Sequence, residues 1–264
     1  DGDGVTSLQL ATNGINPCPP SPPVEGEGFK TSISSISVPY FPPMPVRPTS
    51  PAQPYDYIII GAGSAGCVLA NRLSEDPDVR VLLLEAGPRD WHPFIHMPAG
   101  LAKLVGQKGV NWDYDTAPEP QLDGRTLWWP RGKVLGGSSS INAMCYVRGV
   151  PQDYDGWAAA GAHGWGWDDV LPYFRRSEGN TRGGDALHGD DGPLTVSDLR
   201  HVNPLSRAFV EAGQQAGFAH NPDFNGPEQQ GVGLYQVTQR DGARCSAAVP
   251  YLAPARARPK LTVH

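Results

Sequence analysis

Cysteine is scarce in this chain and widely dispersed. Among 264 residues there are four cysteines, with no Cys-x-x-Cys pair and no ligand-like spacing to a histidine: Cys18, Cys67, Cys145 and Cys245. This distribution argues against a disulfide framework and predicts no metal site. Free thiols are typical of a reducing compartment, so a cytoplasmic protein is expected.

Long apolar runs and an excess of basic residues are absent as well. No stretch approaches the ~18 apolar residues that a membrane-spanning helix needs, so no transmembrane segment is predicted. The chain carries 21 Lys and Arg against 27 Asp and Glu, a formal net charge of −6, without a basic stripe. Nucleic acid is therefore excluded as an expected partner.

Proline is plentiful but unevenly placed. Twelve of the 28 prolines fall within residues 1–54, where Ser and Gly separate them and no apolar periodicity appears. Such a composition cannot bury enough surface to offset its ordering entropy, which predicts a disordered leader over residues 1–54. Met44 is the first methionine, so residues 1–43 are interpreted either as upstream sequence or as a true disordered extension.

A glycine-rich turn follows the first strand-like segment after the leader. Tyr55–Ile60 is patterned as a strand and runs into Gly61-Ala-Gly-Ser-Ala-Gly66, and a second apolar run, Val81–Leu84, ends at Glu85. Strand, glycine turn, helix, strand and acid in this order form the dinucleotide-binding fingerprint. The predicted fold class is α/β, with a Rossmann-like nucleotide-binding domain, and the fingerprint leaves NAD and FAD both open.

Each residue of the fingerprint has a physical role. Gly61 permits the tight turn, Gly63 lets the backbone approach a pyrophosphate closely, and Gly66 lets the helix pack against the strand. The unpaired amides and the positive dipole end at the helix N-terminus favour phosphate. Glu85 is placed to accept hydrogen bonds from a ribose diol.

A second loop, rich in glycine and serine, indicates FAD rather than NAD. Residues 136–140 read Gly-Gly-Ser-Ser-Ser and are flanked by the apolar residues Val134, Leu135 and Ile141. Consecutive glycines and serines make a poor helix or strand, but they offer backbone amides and hydroxyls to an anion. The apolar flanks would anchor such a loop inside the fold; a flexible surface loop is the alternative interpretation.

Residues 130–144 resemble the first signature of the glucose-methanol-choline (GMC) flavoprotein oxidoreductases, and Glu85-Ala-Gly87 matches the strand ending usual in that family. The similarity extends from Tyr55 to His264 and is greatest to bacterial FAD-dependent alcohol dehydrogenases and choline dehydrogenases. It implies FAD as the cofactor and oxidation of an alcohol to an aldehyde, in which a histidine takes the hydroxyl proton and a hydride passes to flavin N5. An alcohol substrate and an electron acceptor, a quinone or the respiratory chain, would be the partners, and a peripheral position on the inner membrane is left open.

The resemblance also assigns cofactor contacts by motif position. The ADP half would lie against Gly61, Gly63, Ser64, Ala65, Gly66, Glu85 and Ala86. The pyrophosphate, ribityl and ring-proximal part would lie along Val134, Gly136, Gly137, Ser138, Asn142, Ala143, Met144 and Cys145. Choline oxidase-like members carry a flavin-linking histidine at the position of Ile141. An aliphatic side chain cannot form that bond, so FAD is expected to be non-covalent.

No catalytic residue is predicted. In the family the catalytic histidine lies in the C-terminal part, and none of the seven histidines here matches its motif. His92 and His96, which flank Pro93, are interpreted as loop or packing residues. The resemblance implies an N-terminal portion of the enzyme, without the catalytic C-terminal part. The alternatives are an inactive flavin-binding fragment, or a choline dehydrogenase or alcohol oxidase of the same family; the loop at 136–140 disfavours an NAD-dependent dehydrogenase.

The expected domains are a first part of the FAD-binding domain over residues 55–150, the start of a GMC substrate-binding region over 151–200, and a second, truncated part of the FAD-binding domain over 201–264. Within them, the patterns predict a helix over 66–74, a helix over 168–176 with Pro172 in its first turn, and a helix capped by Asn203. A strand is predicted over 261–263. Val249-Pro250 interrupts a helix that the family continues, so that helix is expected to begin later or to kink there.

Overall fold

Three parallel strands form the sheet at the centre of the nucleotide-binding fingerprint. The computed structural model describes residues 54–264, and the predicted leader lies outside them except for Pro54. Strands β1 (Tyr57–Ile60), β2 (Val81–Leu84) and β9 (Leu261–Val263) lie in the order β1-β2-β9. Val81 is paired with Tyr57 on one side and with Leu261 on the other. The α/β class and the predicted strand at 261–263 are thereby confirmed.

Helix α1 (Ser64–Leu73) connects β1 to β2 and packs on the sheet, which confirms the predicted first helix. Its buried positions carry small side chains, so the helix can approach the strands closely. An apolar cluster fills the space between them; its buried members include Ile59, Ala62, Cys67, Ala70, Val81, Leu83, Leu135, Tyr251, Leu252 and Leu261.

The helical segment after Ser246 packs against α1. Ala248–Leu252 forms a π-helix that runs into α7 (Ala253–Ala255), and Pro250 lies inside it. Of the two alternatives expected here, a later start or a kink, the later start is wrong, because the helix begins before the proline. Pro250 is tolerated since it lies in the first turn, where backbone amides have no partner within the helix.

Short elements fill the chain between β2 and residue 141. They are α2 (Pro93–His96), α3 (Leu101–Leu104), the antiparallel strands β3 (Tyr114–Asp115) and β4 (Trp128–Trp129), and 3₁₀ turns over Pro98–Gly100, Pro120–Leu122 and Gly137–Ser140. A second apolar cluster lies beneath them and consists of Ile95, Leu104, Val110, Val134 and Ile141.

Residues 146–240 form a second region of short helices and strand pairs. Its elements are α4 (Pro151–Ala159), α5 (Trp167–Ser177), the parallel strands β5 (Glu178–Asn180) and β6 (Leu194–Val196), α6 (Pro204–Gln215), and β7 (Gln239–Arg240), which pairs with β8 (Ala243–Arg244). Asn203 caps α6 as predicted, since its side chain accepts a hydrogen bond from Leu205 N at 2.9 Å. No helix within residues 54–264 has the length and hydropathy needed to cross a bilayer.

The predicted position of Pro172 in its helix is wrong. Helix α5 begins at Trp167, so Pro172 is its sixth residue and falls in the second turn, where it removes a backbone hydrogen bond. Trp167 and Phe174 pack on Tyr154 with ring centroids 5.6 Å apart in each pair. This aromatic packing on both sides of Pro172 accounts for the persistence of the helix across it.

Polar side chains are buried together in the second region. Glu178 is fully buried; its Oε2 accepts a hydrogen bond from Arg148 Nη2, and its Oε1 accepts one from Asn180 Nδ2 at 3.0 Å. His188 lies between two carboxylates, with Nδ1 3.0 Å from Glu178 Oε1 and Nε2 2.9 Å from Asp223 Oδ2. We call Arg148, Glu178, Asn180, His188 and Asp223 the Glu178 network.

Candidate functional site

The first glycine turn joins β1 to the N-terminus of α1. A side chain at Gly66 would place its Cβ 1.9 Å from Gly61 O, so the turn and the helix approach closely only without one. Gly63 is the N-cap of α1, provides no side-chain cap, and would meet nothing within 4 Å if it carried a Cβ. The first amides of α1 therefore have no side-chain cap, and no atom of residues 54–264 occupies the position that a Cβ of Gly63 would take.

Glu85 lies at the carboxyl end of β2, next to this turn. Its Oε2 accepts a hydrogen bond from Ala62 N at 2.7 Å, and its Oε1 accepts one from Gly87 N at 2.9 Å. These two bonds hold the carboxylate beside the glycines. Because an ionised carboxylate has about four acceptor sites, lone pairs remain for further donors.

The second glycine loop lies directly against the first. Gly136 N donates to Ala62 O at 2.7 Å, and a Cβ on Gly137 would lie 2.7 Å from Gly63 Cα. Gly137 has φ +55°, in the left-handed region that favours glycine. Two motifs that are far apart in the sequence therefore form one continuous surface.

The hydroxyls of two serines in this loop hold the loop itself. Ser139 Oγ donates to Gly136 O at 2.5 Å, and Ser140 Oγ donates to Leu135 O at 2.8 Å. Ser139 Oγ also accepts from Ala247 N at 2.9 Å. The two hydroxyls thus shape the loop and are not directed at a ligand, in contrast to the interpretation from the sequence.

The chain turns sharply after the second loop. Met144 has φ +64°, a conformation that costs a non-glycine residue about 1–2 kcal/mol. The turn is stabilised because Asn142 Oδ1 accepts from Met144 N at 3.0 Å and Thr238 N donates to Met144 O at 2.9 Å. Ala143 and Cys145, on either side of Met144, are exposed.

The remaining predicted contacts lie at the edges of this surface or behind it. Ser64 and Ala65 are exposed at the start of α1, and Ala86 is exposed after β2. Ser138 is half-buried. Val134 is fully buried in the second apolar cluster, so only its backbone can face a ligand.

Arg244 belongs to this site although no motif in the sequence points to it. Its side chain is fully buried and donates to Ser139 O and Asn142 O, which lie 105 and 102 residues earlier in the chain. Burial lowers the pKa of Arg244 to about 10, so the guanidinium stays charged at neutral pH. The signal in the sequence is weak: one arginine near the start of a run of small residues, 243–248.

Cys67 lies under the first turn and is not a reactive thiol. Its Sγ donates to Ala62 O at 3.3 Å, and burial raises the pKa of Cys67 to about 12. The side chain therefore packs as a small apolar group on α1.

The two histidines that flank Pro93 make local hydrogen bonds. His92 Nδ1 accepts from Phe94 N at 3.2 Å at the start of α2, and His96 Nε2 lies 2.6 Å from Asp90 O. Neither arrangement singles out a catalytic base. Within residues 54–264, no three His, Cys, Asp or Glu side chains are arranged to hold a metal ion.

The site combines three features that suit one dinucleotide. Uncapped helix amides favour phosphate, a carboxylate at a strand end can accept from a ribose diol, and the space beside Gly63 leaves room for close approach of the backbone.

Comparison with known proteins points to a flavoprotein family. A family model described as GMC oxidoreductase matches residues 55–264. The chain is 56% identical over 210 residues to an alcohol dehydrogenase (acceptor) of Pseudomonas putida, covering 79% of this chain and 38% of that protein. It is 50% identical over 216 residues to mitochondrial choline dehydrogenase of Homo sapiens, covering 78% of this chain and 36% of that protein.

A solved structure shows the same fold. Pyridoxine 4-oxidase from Mesorbium loti superimposes with a TM-score of 0.75 at 44% identity, covering 80% of this chain and 42% of that one. The chain thus spans less than half the length of each of these relatives.

Proposed function

The chain belongs to the GMC oxidoreductase family, and we propose on that premise that it is the FAD-binding N-terminal portion of an FAD-dependent alcohol dehydrogenase. FAD is the cofactor of this flavoprotein family. The observation that carries the proposal is the contact between the two glycine motifs, Gly63 against Gly137, because it builds one dinucleotide surface from both.

Different residues of this surface would contact different parts of the cofactor. In the proposal, the uncapped amides of α1 hold the diphosphate and Glu85 accepts from the ribose hydroxyls. Gly136–Ser138 and Asn142–Cys145 line the remainder towards the ring. Bound FAD would supply the redox chemistry: it would take up the α-carbon hydride of an alcohol while a base takes the hydroxyl proton, which converts the alcohol to an aldehyde. The chain itself contributes binding and orientation.

Ile141 supports non-covalent binding. Its side chain is buried among Ile95, Val134 and other apolar residues, and it has no atom that can bond to a flavin. Acid or heat denaturation of the loaded protein should therefore release all of the flavin. Yellow colour that stays with the precipitated polypeptide would contradict this part of the proposal.

The proposed reaction also needs a base and an electron acceptor. We propose that the base is a histidine in the part of the relatives' sequences that this chain does not cover. We propose that the electron acceptor is a quinone or the respiratory chain and not NAD, since the name of the P. putida relative specifies an acceptor. A cytoplasmic protein, in peripheral contact with the inner membrane when it passes electrons on, fits this scheme.

Choline is the second candidate substrate. Identity to human choline dehydrogenase is 50%, only slightly below the 56% to the alcohol dehydrogenase. Steady-state rates with primary alcohols and with choline, measured on protein of the relatives' full length, decide between the two substrates. The third hypothesis is an inactive flavin-binding fragment.

Two measurements test the proposal on the chain itself. The 264-residue chain should bind FAD saturably, because the residues of the proposed site all lie within its described part, and it should fail to reduce an artificial electron acceptor with primary alcohols. Without a positioned base, the share of catalysis that acid–base groups supply, about 10²–10⁴-fold, is lost. No binding of FAD, or turnover equal to that of the full-length protein, would contradict the proposal.

A further inference from the structure

Arg244 is a buried cation whose side-chain hydrogen bonds within residues 54–264 all go to carbonyl and amide oxygens. Its Nε donates to Ile95 O at 2.7 Å, and its Nη1 lies 2.7 Å from Asn142 O, 2.8 Å from Asn142 Oδ1 and 3.2 Å from Ser139 O. Its Nη2 is buried without a hydrogen-bond partner among residues 54–264, and Arg244 forms no ion pair with them.

An arginine in this environment is unfavourable for folding alone. A buried charge without an opposite charge opposes folding, and an apolar side chain of similar volume would avoid that penalty. Three of the four oxygens that the guanidinium contacts belong to Ser139 and Asn142, which lie at the second glycine loop. The guanidinium therefore lies where its hydrogen bonds hold the geometry of that loop.

The bond to Asn142 O fixes the direction of the next amide. In a planar trans peptide the carbonyl and the following N–H point in opposite directions. With Asn142 O held by Arg244, the Ala143 N–H is directed away from the guanidinium. Ala143 is exposed, and its N–H has no hydrogen-bond partner in the described part of the chain.

The bond to Asn142 Oδ1 fixes the other end of the turn. The same oxygen accepts from Met144 N at 3.0 Å, and Met144 is the residue held at φ +64°. Arg244 thus holds the Asn142 side chain in the position that stabilises the left-handed residue. One guanidinium nitrogen, Nη1, controls both peptides of the turn.

We propose that Arg244 is a positioning residue of the FAD site, which fixes the turn Asn142–Met144 so that the free amide of Ala143 is presented to the cofactor. The inference rests on the proposed function, because it requires this turn to be part of the FAD site.

The test compares Arg244→Met and Arg244→Lys with the parent chain. Arg207→Met is the matched control, since Arg207 is exposed on α6 and its side chain makes no hydrogen bond or ion pair within residues 54–264. The readouts are the FAD dissociation constant from flavin fluorescence and the visible circular dichroism of bound flavin, which reports the geometry around the ring.

Arg244→Met should weaken FAD binding at least about tenfold and change the visible spectrum. Arg244→Lys keeps the charge, but a lysine ammonium lacks the planar fork that reaches Ile95, Ser139 and Asn142 together, so its spectrum should change as well. Arg207→Met should match the parent in both readouts.

Several results would overturn the inference. One is a folded Arg244→Met protein with parental affinity and spectrum; another is an Arg244→Lys protein that matches the parent in both, since charge alone would then suffice. If Arg244→Met does not fold, Arg244→Lys decides. A parent chain that does not bind FAD refutes the proposed function and this inference together. Weak binding by Glu85→Gln alongside parental binding by Arg244→Met refutes the inference alone.

Discussion

Two regions of the molecule bury different kinds of side chain. The sheet region is built on β1, β2 and β9, and the network region, residues 146–240, contains the Glu178 network. Around the sheet the buried cluster is apolar and includes Ile59, Leu83 and Leu252. Around β5 the buried side chains are charged or polar, with Glu178 fully enclosed beside Arg148.

The two kinds of interior respond differently to change. Apolar burial is non-directional and scales roughly with area, so a lost contact removes only its own share of stability. A buried polar network is stable only while each member has its partners, and one missing partner leaves a charge unpaired. The geometry of the network region therefore depends on a few residues, and that of the sheet region on many.

The largest effect is expected in the network region. Glu178→Gln removes the charge and leaves one side-chain oxygen for the donors of Arg148 and His188, so the free energy of unfolding should fall by about 3–5 kcal/mol. Glu75→Gln, which removes an exposed ion pair with Arg72 on α1, should lower it by less than about 1 kcal/mol. Urea denaturation at pH 7 measures both. Equal losses in the two variants would break the comparison.

The next effect is steric and lies in the sheet region. Gly66→Ala would place a Cβ 1.9 Å from Gly61 O. Overpacking of this kind costs about 1–3 kcal/mol, and FAD binding should be lost as the turn moves. Gly156→Ala on the exposed surface of α4 meets nothing within 4 Å and should stabilise the chain by about 0.5–1 kcal/mol. Thermal midpoints and FAD titrations check both; a Gly66→Ala protein that keeps parental values would show that α1 shifts freely.

Glu85→Gln should separate binding from stability within the sheet region. Glutamine keeps the shape but loses charge-assisted hydrogen bonds, each worth about 1.5–3 kcal/mol. FAD affinity should therefore fall at least about tenfold, with a smaller change in the urea midpoint than for Glu178→Gln. Fluorescence titration measures the affinity, with Glu75→Gln as the control acid. Unchanged affinity would place Glu85 away from the cofactor.

The smallest effect is a pH dependence in the network region. Desolvation acts to raise the pKa of Asp185, but hydrogen bonds from Leu187 N and His188 N, both 2.7 Å long, outweigh it and hold the pKa below the ordinary 3.8. A lowered pKa stabilises the fold above the unfolded value, and this contribution disappears as the pH falls through the folded value.

Asp185→Asn should therefore lower the urea midpoint slightly at pH 7 and leave it unchanged in acid below the folded pKa. Unfolding curves of variant and parent at both pH values measure the difference. A loss of the same size in acid would show that the charge of Asp185 plays no part.

The sequence predicts those parts of the fold whose signals are local. Strands β1 and β2, helix α1 and the strand at 261–263 follow from apolar runs and turn residues that lie within a few positions of one another. The glycine turn at 61–66 and the loop at 136–140 are also short local motifs, and for that reason the sequence predicts the family and the cofactor.

The remainder depends on partners that are distant along the chain. Glu178 and His188 are of residue types that are seldom fully buried. They are buried here because β5 pairs with β6 and brings them beside Arg148. Arg244 acquires its role from oxygens more than 100 residues earlier. No periodicity encodes such contacts, because they exist only after the elements have packed.

Gly63 and Gly66 belong to one turn, yet their surroundings restrict a side chain differently. At position 66 a methyl group would strike Gly61 O, so the fold itself demands glycine. At position 63 the same methyl group would meet nothing within 4 Å, and the backbone has an ordinary φ of −74°. Nothing in residues 54–264 forbids a side chain there, whereas a bound dinucleotide would. A lineage that kept the fold but abandoned the dinucleotide would drift at position 63 and stay fixed at position 66, so the pair records whether selection for the cofactor persists.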